Sequence, residues 1–219
     1  MRLRVTRAAA WASVWVLAFG VSACIKEQLP VRGPRTALVL LNYQSDYLRA
    51  DGRMPVAQDQ VGGMINATNR LIAAMQKQPL PIIYTLNEFP PWQLVGNAER
   101  NYSAMRYESG AALDQRINYL GGVYFSTRHW DKFSNPQLDE HLQLTRVGRL
   151  VLAGPYPERA IVDTAREAKR RGYAVTVISD AVASSDAQRR DAALQTLRQE
   201  GVEVMTSDQF IASLGKNQG

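Results

Sequence analysis

One cysteine in 219 residues leaves no partner for an intrachain disulfide. Two histidines, His129 and His141, stand in no recognised metal-ligand spacing, so neither a metal nor a cofactor is expected. Glycine-rich phosphate loops are also lacking, because Gly62-Gly63 falls inside a helical pattern and Gly121-Gly122 precedes a strand. Long apolar runs are missing apart from Ala8 to Ala23, and those 16 residues fall short of the roughly 20 that cross a bilayer as a helix. Charge of one sign is scarce as well. Lys and Arg number 26 against 20 Asp and Glu, and setting aside Arg2, Arg4 and Arg7 at the N-terminus leaves a balance of only +3. These cations are dispersed, which excludes a nucleic-acid stripe. What is present is a 46% hydrophobic fraction in many short runs, without repeats or low-complexity tracts, as in one folded domain.

The arginines at 2, 4 and 7 followed by the apolar run form a secretory leader, residues 1–23. It closes on Val21-Ser22-Ala23-Cys24, which resembles the lipobox of bacterial lipoproteins; the plainer reading is an ordinary signal peptide with a cysteine nearby. The resemblance implies acyl chains such as palmitate on Cys24, each buried methylene anchoring by about 0.8 kcal/mol. Ile25 in place of Asp implies, by resemblance to Gram-negative sorting rules, an outer-membrane lipoprotein facing the periplasm. Residues 24–35, with Pro30 and Pro34, read as an extended tether, and 36–219 as the folded domain.

From Thr36 onward strand-like runs alternate with amphipathic helices. This predicts a three-layer, doubly wound α/β sandwich around a mainly parallel sheet of about six strands. Strands are expected at 36–41, 81–86, 123–127, 149–153, 173–179 and 202–205. Helices are expected at 59–78, 135–143, 158–171, 185–201 and 208–214. Asn135-Pro136 reads as a cap and first-turn proline, Ser185 with Gln188 as a capping box, and Gly172 as a helix stop. The aromatic-rich stretch from Asn87 to Gly122 is left irregular, which suggests a functional connection.

Ligands of such sheets bind beyond the carboxyl ends of the strands, where strand order reverses. The segments there carry a family resemblance. Ala37 to Leu41 followed by Asn42-Tyr43-Gln44-Ser45-Asp46-Tyr47 resembles the apolar run and Asp-x-Gln-x-Asp-Phe of isochorismatase-like cysteine hydrolases. Leu150 to Gly154, Ile161 to Ala165, Gly172 to Val175 and Ser179-Asp180-Ala181 follow the same family's pattern in order, over roughly Thr36 to Leu214.

The resemblance implies a base (Asp), a charge-stabilising Lys and a nucleophilic Cys. The matching positions here read Asn42, Thr127 and Ala160, with Arg128 or Lys132 taking the cationic position if a small gap is allowed. Cys24 lies at the anchor, so no thiol remains for chemistry. Taken singly, Asn42 could be a strand-end turn residue and Ala160 a small residue at a helix start. Together they imply a lost catalytic triad. Restoring Asp at 42 and Cys at 160 is then expected not to recover hydrolysis, because position 127 lacks a charge.

The family's cis peptide before the nucleophile turn has two candidates, Gly154-Pro155 and Tyr156-Pro157. The nicotinamidase branch's histidine after the second strand is absent, with Asn87-Glu88-Phe89 in its place. The candidate pocket comprises Gln44, Asp46, Asn87, Arg128, Trp130, Pro155 and Tyr156, with Tyr156 covering it. Trp92, Tyr102, Tyr107, Tyr119, Tyr124 and Trp130 form either a binding surface or ordinary core and rim packing.

The expectation is a non-catalytic, membrane-anchored binding protein that takes a small molecule, a homo-oligomeric contact or an envelope protein partner. The competing reading is a hydrolase of a small amide, ester or enol ether using Ser134 or Tyr156 with His129 or a carboxylate. A third is a structural lipoprotein, marked by a closed pocket and an exposed apolar patch.

Overall fold

The computed structural model describes residues 32–216. The leader, Cys24 and the tether up to residue 31 lie outside the described residues. Six strands form one sheet: β1 Arg35–Leu41, β2 Ile82–Asn87, β3 Val123–Thr127, β4 Val147–Pro155, β5 Ala174–Ala183 and β6 Glu203–Met205. Their spatial order is β3-β2-β1-β4-β5-β6 and every pairing is parallel. The helices are α1 Ser45–Leu48, α2 Gln58–Lys77, α3 Leu94–Glu99, α4 Pro136–Leu144, α5 Val162–Arg170, α6 Ala187–Gln199 and α7 Ser207–Lys216. Among the described residues no helix is long and apolar enough to cross a membrane.

Alternation along β1 divides the core. Leu38 and Leu40 join one buried cluster with the α2 residues Met64, Leu71 and Ile72 and with Phe210 of α7. Ala37, Val39 and Leu41 face the other, which holds Leu138 and Leu142 of α4, Ala165 and Ala168 of α5, and Leu194 and Leu197 of α6. The expected three-layer α/β architecture is therefore present.

Local signals place the helix ends. Asn135 caps α4 by accepting from the Gln137 N–H at 3.0 Å, with Pro136 in the first turn. Gly172 has φ +85° after α5. The cap of α6 is Asp186 rather than Ser185: its carboxylate accepts from the Arg189 N–H at 2.8 Å, and the helix begins one residue later than a cap at Ser185 implies. The 87–122 connection is not wholly irregular, since it contains α3 and a 3-10 turn, Ser109–Ala111.

Strand order reverses at β1, which has β2 on one side and β4 on the other. The carboxyl ends of these strands, at Asn42, Asn87 and Pro155, thus meet where a doubly wound sheet opens a crevice.

Candidate functional site

Asn42 follows β1 with φ +59°, a left-handed backbone that asparagine tolerates. It is fully buried and its N–H donates to the Thr85 carbonyl at 2.8 Å. Its side-chain oxygen accepts from the Lys132 amine at 2.7 Å, and Asn87 Oδ1 accepts from the same amine at 2.5 Å. The cation at the end of β1 is therefore Lys132. Thr127 is not in that position; its hydroxyl donates to the His129 carbonyl at 2.7 Å. Lys132 sits in a 3-10 turn, Lys132–Ser134, that Asp131 caps through the Phe133 N–H. The turn is tied to α5 by the Lys132 N–H, which donates to Thr164 Oγ1. Lys132 is the position that a small gap after Thr127 reaches, because the loop after β3 is longer than an ungapped count allows.

The Lys132 amine is fully buried, and burial pushes its pKa down to about 7, with only Asp131 opposing the shift. Near pH 7 the charged and uncharged amine are thus comparably populated, and either form can donate to the two amide oxygens. Asn42 Nδ2 is buried without a hydrogen-bond partner. Ala160, also fully buried, lies in the turn after β4 and packs into the cluster that holds Phe133 and Ile161.

That turn is made without a cis bond: the peptide bonds among the described residues are all trans. The bend comes instead from Gly154 at φ +147° and Tyr156 at φ +56°, followed by one π-helical turn, Pro157–Ile161. Only glycine fits at 154, where a Cβ would lie 2.1 Å from the Leu41 carbonyl oxygen. Tyr156 is 4% exposed, and its hydroxyl donates to the Met54 carbonyl at 2.7 Å. Its ring meets Tyr47 at 5.7 Å and Trp130 at 6.0 Å, while Phe89 meets Trp130 at 6.5 Å. These four aromatic rings pack on one another at the strand ends. Burial raises the Tyr47 pKa to about 12 and pushes that of Tyr156 up as well. Tyr47, at the family's Phe position, and Phe89, in the Asn87-Glu88-Phe89 stretch, were not among the expected pocket residues, because an aromatic in a strand-end loop has no periodic signal.

Gln44 and Asp46 hold the long connection in place. Gln44 Oε1 accepts from the Asn87 N–H at 2.8 Å, and its amide donates to the Asn87 and Ala111 carbonyls, both at 2.7 Å. Asp46 accepts from the Ala104 N–H at 2.8 Å. Of the expected pocket residues, Gln44, Asp46, Asn87, Trp130, Pro155 and Tyr156 gather at the strand ends. Arg128 does not; it is exposed, with its guanidinium 5.9 Å from the ring of Trp92.

The aromatics likewise separate, with Tyr119 and Tyr124 meeting Tyr84 beside β3 while Tyr102 and Tyr107 are exposed. His129 and Ser134 border one cavity of about 310 Å³, but the Ser134 hydroxyl donates to the Asp131 carbonyl at 2.6 Å. Among the described residues no cluster of His, Cys, Asp or Glu could hold a metal ion.

A family model, the isochorismatase domain, matches residues 36–209. The chain belongs to the isochorismatase family. It is 30% identical to the secreted isochorismatase effector of Phytophthora sojae over 162 residues, covering 73% of this chain and 70% of that protein. Among solved structures, an isochorismatase-like hydrolase from Alkaliphilus metalliredigens superposes with a TM-score of 0.76 at 17% identity, covering 82% of this chain and 99% of its own. A cysteine hydrolase from Pseudomonas syringae pv. phaseolicola gives 0.76 at 19%, covering 88% and 99%. A nicotinamidase from Bacillus subtilis gives 0.72 at 16%, covering 78% and 99%. These likenesses are to the shared fold.

Proposed function

We propose that this isochorismatase-family chain is a non-catalytic member, anchored by lipid at Cys24 to the outer membrane and facing the periplasm, where it binds a ligand, a second copy of itself or an envelope protein. The observation that carries the reading is the set of buried residues Asn42, Lys132 and Ala160. An amide cannot accept a proton near neutral pH, and a methyl group cannot attack a carbonyl carbon. A Lys without these partners stabilises a charge that never develops.

The test is turnover of nicotinamide and of isochorismate, the substrates named for relatives, by the mature chain. No rate above background is expected. The variant carrying Asn42→Asp and Ala160→Cys is also expected to be inactive, though not through want of a basic group, because the Lys132 amine lies against position 42. The aromatic cover still excludes substrate. Turnover by the unaltered chain would overturn the reading. Anchoring is tested separately: labelled palmitate should enter the protein and be lost on Cys24→Ser. Sedimentation of the mature chain tests self-association.

A further inference from the structure

We infer that the amino-terminal end of the sheet is a docking face for an anionic lipid surface, an inference that rests on the proposed anchor at Cys24. Seven residues lie between Cys24 and Arg32, so the eight steps from one to the other span at most about 29 Å at full extension. Arg35, the first residue of β1, then enters the fold at that end. Whatever lies there is held close to the lipid.

That end has the composition such a surface requires. Arg35 donates to the carbonyls of Pro79 and Thr145, which ties the loop before β2 to the loop before β4 without neutralising its charge. Lys77, at the end of α2, and Arg146, before β4, are exposed and have no carboxylate within 4 Å among the described residues. The nearby Asp139 is taken up by Arg32, Arg171 and Tyr173, leaving the exposed Glu140 as the opposing acid.

The same end exposes apolar side chains: Leu144 at the end of α4 is 77% exposed, and Leu120, 45% exposed, lines a cavity of about 370 Å³ with Pro79, Leu80, Pro81 and His141. Helix dipoles attract cations to such an end, as with Lys169 to Arg171, which pair with Glu167 and the Glu200 carbonyl. A dipole gives no reason for exposed leucines beside them. Cations and exposed apolar residues at the same end match a leaflet containing phosphatidylglycerol, and a basic patch is the second element that strengthens a lipid anchor.

The test uses the mature chain with Cys24→Ser, so that binding does not depend on acylation and failure of the anchor reading is scored separately by the palmitate label. Sedimentation is measured with vesicles of phosphatidylglycerol in phosphatidylcholine and of phosphatidylcholine alone. Binding is expected only to the anionic vesicles and should weaken with salt. Each basic side chain at such a surface is worth about fivefold, so Lys77→Glu with Arg146→Glu should lose more than about 25-fold. Leu144→Ser should weaken binding further. Reversing Arg106 and Arg190, at the opposite end, is the control for net charge and should have a much smaller effect. Equal binding to neutral vesicles, no binding to anionic ones, or equal losses from the two charge reversals would overturn the inference.

Discussion

At the scale of the residue, the informative group is Lys132. Its amine titrates near 7 in the fold and near 10.4 in the unfolded chain, so between these values the unfolded chain binds the extra proton and stability rises with pH. Its contribution is least favourable below 7 and improves toward 10. Relative to Lys132→Met, the protein should gain roughly 3–4 kcal/mol between pH 7 and 10. Urea unfolding of both proteins across that range measures this, and a constant difference would show that the amine stays charged when buried. Asn42→Asp would set a carboxylate where the amide oxygen now lies 2.7 Å from the amine, and would remove the unpartnered Nδ2. An ion pair raises the Lys pKa, so this variant should lose most of the rise between pH 7 and 10. Legibility at this scale was uneven. Asn42 and Ala160 follow from short, rigid connections after β1 and β4, whereas Lys132 sits behind a loop whose length shifts the register from Thr127.

At the scale of the element, the strands were readable as short apolar runs, and the helices because their apolar positions repeat about every 3.6 residues. Val123–Thr127 was found at its own bounds, and α2 within one residue at either end. What periodicity misses is hydrogen bonding at the ends. Ser185 and Gln188 have capping-box spacing, yet Asp186 takes the role, since a carboxylate is a stronger acceptor for an N–H beside a positive helix end. Asp186→Ala should therefore cost about 1 kcal/mol, whereas Ser185→Ala should stay within about 0.5 kcal/mol. A larger loss at Ser185 in thermal unfolding would restore the original assignment. The turn after β4 was hidden for a related reason. Two prolines suggested a cis bond, but the left-handed backbone of Tyr156 makes the bend, and its ring is held there by Met54, Tyr47 and Trp130. Contacts from these three residues, all distant from position 156 in sequence, produce that conformation, and no local motif encodes it.

At the scale of the whole molecule, the two buried clusters share one sheet, with alternate residues of the same central strands serving opposite faces. Leu40 of β1 belongs to one cluster and Leu152 of β4 to the other, and the two strands are hydrogen-bonded neighbours. Loss of either face removes the support of a strand that the other face needs, so the layers should not unfold independently. Leu40→Ala and Leu152→Ala are each expected to destabilise by about 2–5 kcal/mol, the range for a buried leucine whose cavity only partly collapses. Both should lower the urea midpoint without changing the slope, with coincident loss of helix signal and aromatic packing signal. Separation of the two signals in Leu152→Ala would mean that the face carrying α4, α5 and α6 melts first. The trio of Asn42, Lys132 and Ala160, lying where β1 and β4 end, would then be exposed before the sheet is lost.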